Sequence, residues 1–235
     1  MNRRFEELDA VETQMGLLTL RRRFDLVLKA EIYEVKLGDE FLMSSAFTVA
    51  ERELARLGLA VTPGEDLDVL VGGLGLGYTA VEALHDERVR TLTVIDRLGE
   101  VIEWHERGLL PETALTSDER TTLVEEDFFA LMRGETTLDP EIPTRFHAIL
   151  LDIDHTPRFW LHPSHAPFYT VKGLWEMQQH LHPDGVFALW SDEPPDSDFL
   201  AALEAIFATT RSRVITFANA LTRGESTATI YVATN

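Results

Sequence analysis

From Asp66 onward, short apolar runs alternate with stretches whose apolar residues recur every three or four positions, the pattern of strands feeding helices. Strands are predicted at 67–71, 91–95, 121–124, 147–151 and 186–190, and helices at 78–86, 99–107, 127–133, 170–181 and 197–208. Two more strand candidates, 213–217 and 227–232, are separated by too few residues for a crossover helix, so they should form an antiparallel hairpin. The expected class is therefore α/β: a doubly wound, mostly parallel seven-stranded sheet with one reversed strand. Ahead of it, Leu17-Leu-Thr-Leu20, Asp25-Leu-Val-Leu28 and Glu31-Ile-Tyr-Glu-Val35 read as short strands in hairpins, followed by a helix over about 48–57. Residues 1–60 are thus expected as a small β-rich N-terminal cap and 61–235 as the main domain.

Length and composition agree with one sizeable core plus a small addition: 235 residues, 45% hydrophobic. No cysteine is present, which excludes disulfides and thiolate chemistry and makes the cytoplasm the expected compartment. The segment Met1-Asn-Arg-Arg-Phe5 opens no apolar leader, and no run approaches the ~18 apolar residues of a membrane span. With 40 acidic against 21 basic side chains, the net charge of −19 repels phosphate backbones, and Arg21-Arg22-Arg23 is too short a cluster to offset it. Nucleic acid and membrane partners are therefore not expected; an acidic surface instead attracts small cations.

The densest chemical signal is Val71-Gly-Gly-Leu-Gly-Leu-Gly-Tyr-Thr-Ala80, directly after the first strand of the main sheet. Glycines there let the backbone turn sharply and a ligand come close. Counted from Gly73 and Gly75, the third small residue of a dinucleotide fingerprint is replaced by Tyr78; counted from Gly75 and Gly77, it falls on Ala80. No Lys-Ser/Thr follows, which argues against a phosphate loop, and a nucleoside without pyrophosphate suits the run at least as well. The next strand ends in Asp96, placed to accept from ribose hydroxyls. The third is followed by Asp127, able to accept from an adenine amino group or to cap a helix, and by Phe128, expected to line the base pocket.

These motifs, with Glu100-Val-Ile-Glu-Trp104, Leu150-Leu-Asp-Ile-Asp-His-Thr-Pro157, Phe168-Tyr-Thr170 and Leu181-His-Pro-Asp-Gly-Val186, resemble the spermidine synthase-like branch of the class I AdoMet-dependent methyltransferase fold, a Rossmann-like fold. The resemblance covers most of residues 17–235. It implies that Gly73, Gly75, Gly77, Asp96, Asp127 and Phe128 hold the donor, AdoMet or decarboxylated AdoMet. It further implies that Asp152 and Asp154 orient and deprotonate an attacking amine, that Tyr169 lies at the acceptor pocket, and that the protein is a homodimer acting on a small amine. The chain departs from the branch in the loop, which usually reads Gly-Gly-Gly-Asp-Gly-Gly with an aspartate recognising the aminopropyl group. Here Gly73-Leu-Gly-Leu-Gly77 carries no acid, so aminopropyl and methyl transfer both stay open. A cap segment Phe41-Leu-Met-Ser-Ser45, with Glu51 farther along, replaces the usual Gln and Tyr-His-Glu.

Elementary chemistry agrees with the resemblance. Residues two apart at a strand end can point to one face, and a carboxylate within hydrogen-bond reach can take the proton an amine must lose before attacking a sulfonium carbon. Asp154 can alternatively hydrogen-bond its own loop. His155, His162 and His165 beside these acids are suitable metal ligands by type, but their spacing fits no established motif and Pro157 and Pro163 interrupt it; no metal is expected. A different class of function, a non-catalytic nucleoside-binding or regulatory protein, is compatible with the loss of the cap's polar residues.

Overall fold

The computed structural model describes residues 5–13 and 15–235. Four antiparallel strands come first, β1 (Phe5–Thr13), β2 (Gly16–Asp25), β3 (Ala30–Leu37) and β4 (Glu40–Ser44), paired in chain order. The run 25–28, expected as its own strand, instead supplies the last residue of β2 and a turn over 26–28. β2 ends at Asp25, whose Oδ1 accepts from the Val27 and Leu28 amides at 2.8 and 2.9 Å, and Lys29 takes φ +53°. A carboxylate that satisfies the amides two and three residues on ends the ladder despite the β-type side chains that follow. The basic cluster lies within β2, where Arg22 pairs with Glu6 and Arg23 with Asp25 and Glu34.

Next comes helix α1 (Val49–Val61), and then the main sheet of β5 (Leu67–Gly72), β6 (Val89–Asp96), β7 (Thr121–Glu125), β8 (Phe146–Leu151), β9 (Leu181–Ser191), β10 (Thr209–Asn219) and β11 (Gly224–Thr234). Its order is β10-β11-β9-β8-β5-β6-β7; β5 to β9 run parallel and β11 is reversed between β10 and β9. The connections carry α2 (Tyr78–Leu84), α3 (Gly99–Glu106), α4 (Ala114–Ser117), α5 (Phe128–Met132), α6 (Val171–Gln178) and α7 (Ser197–Glu204), with a 3-10 helix over Pro163–Tyr169. From β5 the chain winds outward through β6 and β7, then returns to place β8 on the other side of β5. Ligands bind at such a switch point, outside the carboxyl ends of the strands.

Strand alternation builds a core on each face of the sheet. Val69, Val71, Ala148, Leu150 and Ala188 face α1 to α3, whereas Leu70, Ile149, Leu151, Phe187 and Leu189 face α5 to α7. Helix α1, expected within the cap, packs on the main sheet: Gly58 lies so close that a Cβ there would sit 2.6 Å from Leu150 Cδ2. The four-stranded sheet itself is fastened through Leu18, Leu20 and Val35, which share the first core with Leu74, Leu76 and Trp104. Asp9 adds a polar fastening, accepting from Trp104 Nε1 at 2.9 Å and Arg107 Nη1 at 2.6 Å. Asp9→Ala strands a buried indole N–H, so it is expected to cost about 1–2 kcal/mol. Urea unfolding would measure the loss, with amide exchange showing whether it concentrates in β1 and β2.

Candidate active site

The glycine loop crosses the carboxyl end of β5, between β6 and β8. Gly73 adopts φ +94°, and a Cβ on it would stand 2.1 Å from the Asp152 carbonyl oxygen. This close approach joins the loop to the segment after β8, and the Asp152 amide donates to the Gly72 carbonyl at 2.8 Å. Gly75, at φ +47°, runs beneath Met43 of β4, whose sulfur would lie 2.7 Å from an added Cβ. From below, His105 Nε2 donates to the Gly75 carbonyl at 2.9 Å, which fixes its tautomer. Gly77 is the left-handed residue that starts α2.

Asp96 ends β6 as expected and clasps the loop. Its Oδ2 accepts from the Leu74 and Gly75 amides at 3.0 and 3.4 Å, and its Oδ1 accepts from Leu98 N at 2.9 Å. Burial pushes the carboxyl above its ordinary range, opposed by these amide donors. Oδ1 keeps a lone pair for a further donor, whereas both lone pairs of Oδ2 are engaged by the loop. Asp127 caps α5 through Oδ1, which accepts from Phe129 N and Ala130 N, and leaves Oδ2 to Arg97 at 3.1 Å. Both readings of this acid, cap and ligand-facing group, are therefore compatible with one carboxylate. Phe128 is buried beneath Gly72, where a Cβ would meet its ring at 2.7 Å.

Asp152 and Asp154 part company. β8 ends at Leu151, so strand alternation does not carry on through residue 154. Asp152 faces α2, where Thr79 Oγ1 lies 2.7 Å from its Oδ2 and 3.2 Å from the Glu51 carbonyl oxygen. Asp154 turns the other way and is 3% exposed. It accepts from Leu161 N at 2.7 Å, His165 Nδ1 at 2.8 Å and the Tyr169 hydroxyl at 2.8 Å. Tyr169, expected at an acceptor pocket, is itself buried with its hydroxyl committed to Asp154; burial and that negative charge raise its pKa well above the phenolic range. Asp154 and Tyr169 thus belong to the wall behind the site and not to its lining.

Two cavities meet at Asp152. The first, a void of about 690 Å³ including its mouth, runs along Asp96, Arg97, Asp127, Phe128, Phe129 and His165. The second, about 600 Å³, is bounded by Glu51, Tyr78, His155 and Trp190. They share the wall formed by Leu42, Met43, Gly73, Gly75, Asp152 and Ile153. Glu51 comes from the first turn of α1, and no local feature of the sequence sets it apart from its neighbour Glu53. Burial, and then the negative charge of Asp152, push its carboxyl up to about 8; burial raises Asp152 to about 6 against the Thr79 hydrogen bond. Among the described residues no lysine or arginine lines the second cavity, and Trp190 Nε1 beside the pair has no hydrogen-bond partner.

The histidines of this region go separate ways. His155 Nε2 lies 3.5 Å from Glu40, His162 Nδ1 bonds Ser164 Oγ, and His165 bonds Asp154. A different cluster, Asp68, His147 and His182, has metal-like spacing at the amino ends of the strands. There Arg90 already holds both Asp68 oxygens at 2.7 and 2.6 Å, and His147 Nδ1 accepts the Asp68 amide. The loop after β9 is tied down, with Asp196 N donating to the Tyr231 hydroxyl and Thr229 Oγ1 to the Glu193 carbonyl.

Sheet order, with the glycine loop at the switch point, defines a doubly wound α/β fold of the methyltransferase-like type. More narrowly, the chain has the fold of spermidine synthases. It superimposes with a TM-score of 0.71 on the spermidine synthase of Thermotoga maritima, at 17% identity over 97% of this chain and 72% of that one. A spermidine synthase in complex with the transition-state analogue AdoDATO matches equally, at TM-score 0.71 and 18% identity, over 97% of this chain and 73% of that one. No protein-family model matches the chain, and no curated protein matches it in sequence. Among the described residues no helix is long and apolar enough to cross a membrane.

Proposed function

We propose that the protein is a spermidine synthase-like alkyl transferase that moves an aminopropyl group from decarboxylated AdoMet to a small amine. The observation that carries this reading is the meeting of two cavities at one carboxylate. A nucleoside in the first has Asp96 for its ribose, Asp127 for its base and Phe128 beneath the loop; an amine in the second stands between Glu51 and Asp152. Asp152, between the two, is the group to take the amine proton as nitrogen attacks the sulfonium-bound carbon and the carbon–sulfur bond breaks to leave 5′-methylthioadenosine. Alignment in a rigid site supplies the remainder of the rate.

The choice of donor follows from charge. AdoMet carries a carboxylate on its tail, and at the junction that group would meet Asp152 and Glu51 with no lysine or arginine among the described residues lining the second cavity. Decarboxylated AdoMet carries only an ammonium there. The acid missing from the glycine loop is then supplied from α1 by Glu51. The AdoDATO complex of the structural neighbour fits the same donor type. The homodimer and the cytoplasmic setting implied by the resemblance belong to this proposal.

Calorimetric titration with AdoMet, decarboxylated AdoMet and 5′-methylthioadenosine tests the reading. Decarboxylated AdoMet is expected to bind at least about tenfold more tightly than AdoMet, the scale of one charge-assisted hydrogen bond standing where AdoMet would meet a repulsion. A preference for AdoMet would move the assignment to methyl transfer, and failure of all three to bind would remove the nucleoside site.

A further inference from the structure

One buried polar group at the donor cavity has no task in that reaction. His165 is 7% exposed, lines the cavity that holds Asp127 and Phe128, and stacks on Phe129 with ring centroids 3.9 Å apart and planes 23° from parallel. One edge of its imidazole is fixed: Nδ1 faces both oxygens of Asp154 at 2.8 and 3.1 Å. A carboxylate only accepts, so Nδ1 carries the hydrogen, and in the neutral tautomer this selects, Nε2 is the lone-pair edge. Tyr169 and the Leu161 amide donate to the same carboxylate, which stops Asp154 from rotating away. Nε2 has no hydrogen-bond partner among the described residues. Because Asp154 is wholly enclosed behind the ring, the free edge is the one toward the cavity.

We infer that His165 reads the nucleobase of the donor: held by Asp154 and Tyr169, its Nε2 accepts a hydrogen bond from the exocyclic amino group of adenine and rejects a 6-oxo purine. The inference rests on the nucleoside reading of this cavity. The chemistry selects adenine because its 6-amino group offers two N–H donors, enough for Asp127 Oδ2 and for His165 together. A hypoxanthine ring puts a carbonyl oxygen at that place, lone pair against lone pair, and leaves a buried acceptor unpaired; that mismatch is the strong form of discrimination. Asp154 acts through the imidazole and is a positioning residue. This also accounts for an acid two positions from Asp152 that does not face the same way.

The test compares 5′-methylthioadenosine with 5′-methylthioinosine on wild type, His165→Phe and Asp154→Asn, titrated at about pH 8.5, above the ordinary imidazole range. Phenylalanine keeps the stack on Phe129 and removes only the acceptor. The expected result is a wild-type preference for the adenine nucleoside that falls by about tenfold or more in His165→Phe, as methylthioadenosine loses one hydrogen bond and methylthioinosine, relieved of the opposing lone pair, binds no more weakly than to wild type. Asp154→Asn, which frees the ring, should reduce the preference in the same direction. Because either buried variant can misfold, a readout on wild type accompanies them. The nitrogen-15 resonance of His165 Nε2 should move on adding methylthioadenosine and stay in place with methylthioinosine. An unchanged base preference in a folded His165→Phe protein, or an Nε2 resonance indifferent to bound methylthioadenosine, overturns the inference and leaves the nucleoside site standing. Failure of wild type to bind either nucleoside overturns both.

Discussion

Asp152→Asn is expected to lower kcat for release of 5′-methylthioadenosine from decarboxylated AdoMet by about two to four powers of ten, the range for losing a positioned general base. Affinity for 5′-methylthioadenosine, which has no ammonium to face Asp152, should change by less than about threefold, since the contacts assigned to ribose and base come from β6 and the start of α5. The asparagine amide can still accept from Thr79, so the hydrogen bond that orients residue 152 survives and only proton uptake is lost. The pH profile makes a sharper check. In wild type the acid must be ionised to act, so the rate should rise with pH through the titration of the Glu51–Asp152 pair, between about 6 and about 8. That limb should vanish in the variant, whatever activity remains. A panel of small primary amines, 1,4-diaminobutane among them, supplies the acceptor. Retention of the wild-type rate and profile would take the base assignment away from Asp152.

How far the site can be read from sequence depends on how far each residue is governed by its own strand. The loop was legible because a positive φ at Gly73 and the 2.1 Å approach to the Asp152 carbonyl permit only glycine. Asp96 was legible because β6 must end at the rim of the sheet, and its grip on the Leu74 amide follows from that position. The predicted winding of the sheet, including the reversed β11, followed from spacing alone. Reading stopped where the chain leaves the sheet. Asp152 and Asp154 look like a pair while strand alternation is assumed, yet the strand ends at Leu151 and the second acid swings to His165 and Tyr169. β1 gave little pattern because its alternation separates exposed from half-buried positions only. Glu51 was illegible for a different reason. The apolar stripe of α1, Ala50, Leu54, Ala55 and Leu59, fixes which side of the helix meets the sheet, but not that one of its flanking acids would reach the glycine loop. Only the tertiary crossing of α1 over α2, with Thr79 Oγ1 against the Glu51 carbonyl, creates that neighbourhood.

Glu51→Gln should make the unliganded protein more stable at pH 8 and much less so at pH 5, on the order of 2 kcal/mol or several degrees in Tm at the higher pH. The direction is opposite to ordinary acid denaturation. Glu51 is displaced from its ordinary value of 4.5 up to about 8 in the folded chain, and Asp152 from 3.8 up to about 6. Between those limits the native state holds protons that the unfolded chain has released, so stability from this pair is fully present below about pH 4 and declines as pH rises from there to about 8. Two carboxylates buried beside the loop, with the charge of Arg52 offsetting only part of the cost at Glu51, are the physical cause, and glutamine removes one of them while keeping its shape. Thermal melts of wild type and variant from pH 5 to 8 measure the effect; parallel curves would mean that Glu51 and Asp152 do not share a proton in the folded protein. The same substitution should reduce the preference for decarboxylated AdoMet over AdoMet, because one of the two carboxyl groups facing the donor's ammonium is gone. Higher stability with specificity reduced is the pattern expected of a group retained for function against its folding cost. A variant that becomes more stable and keeps its donor preference would instead separate the two roles and return the recognition of the ammonium to Asp152 alone.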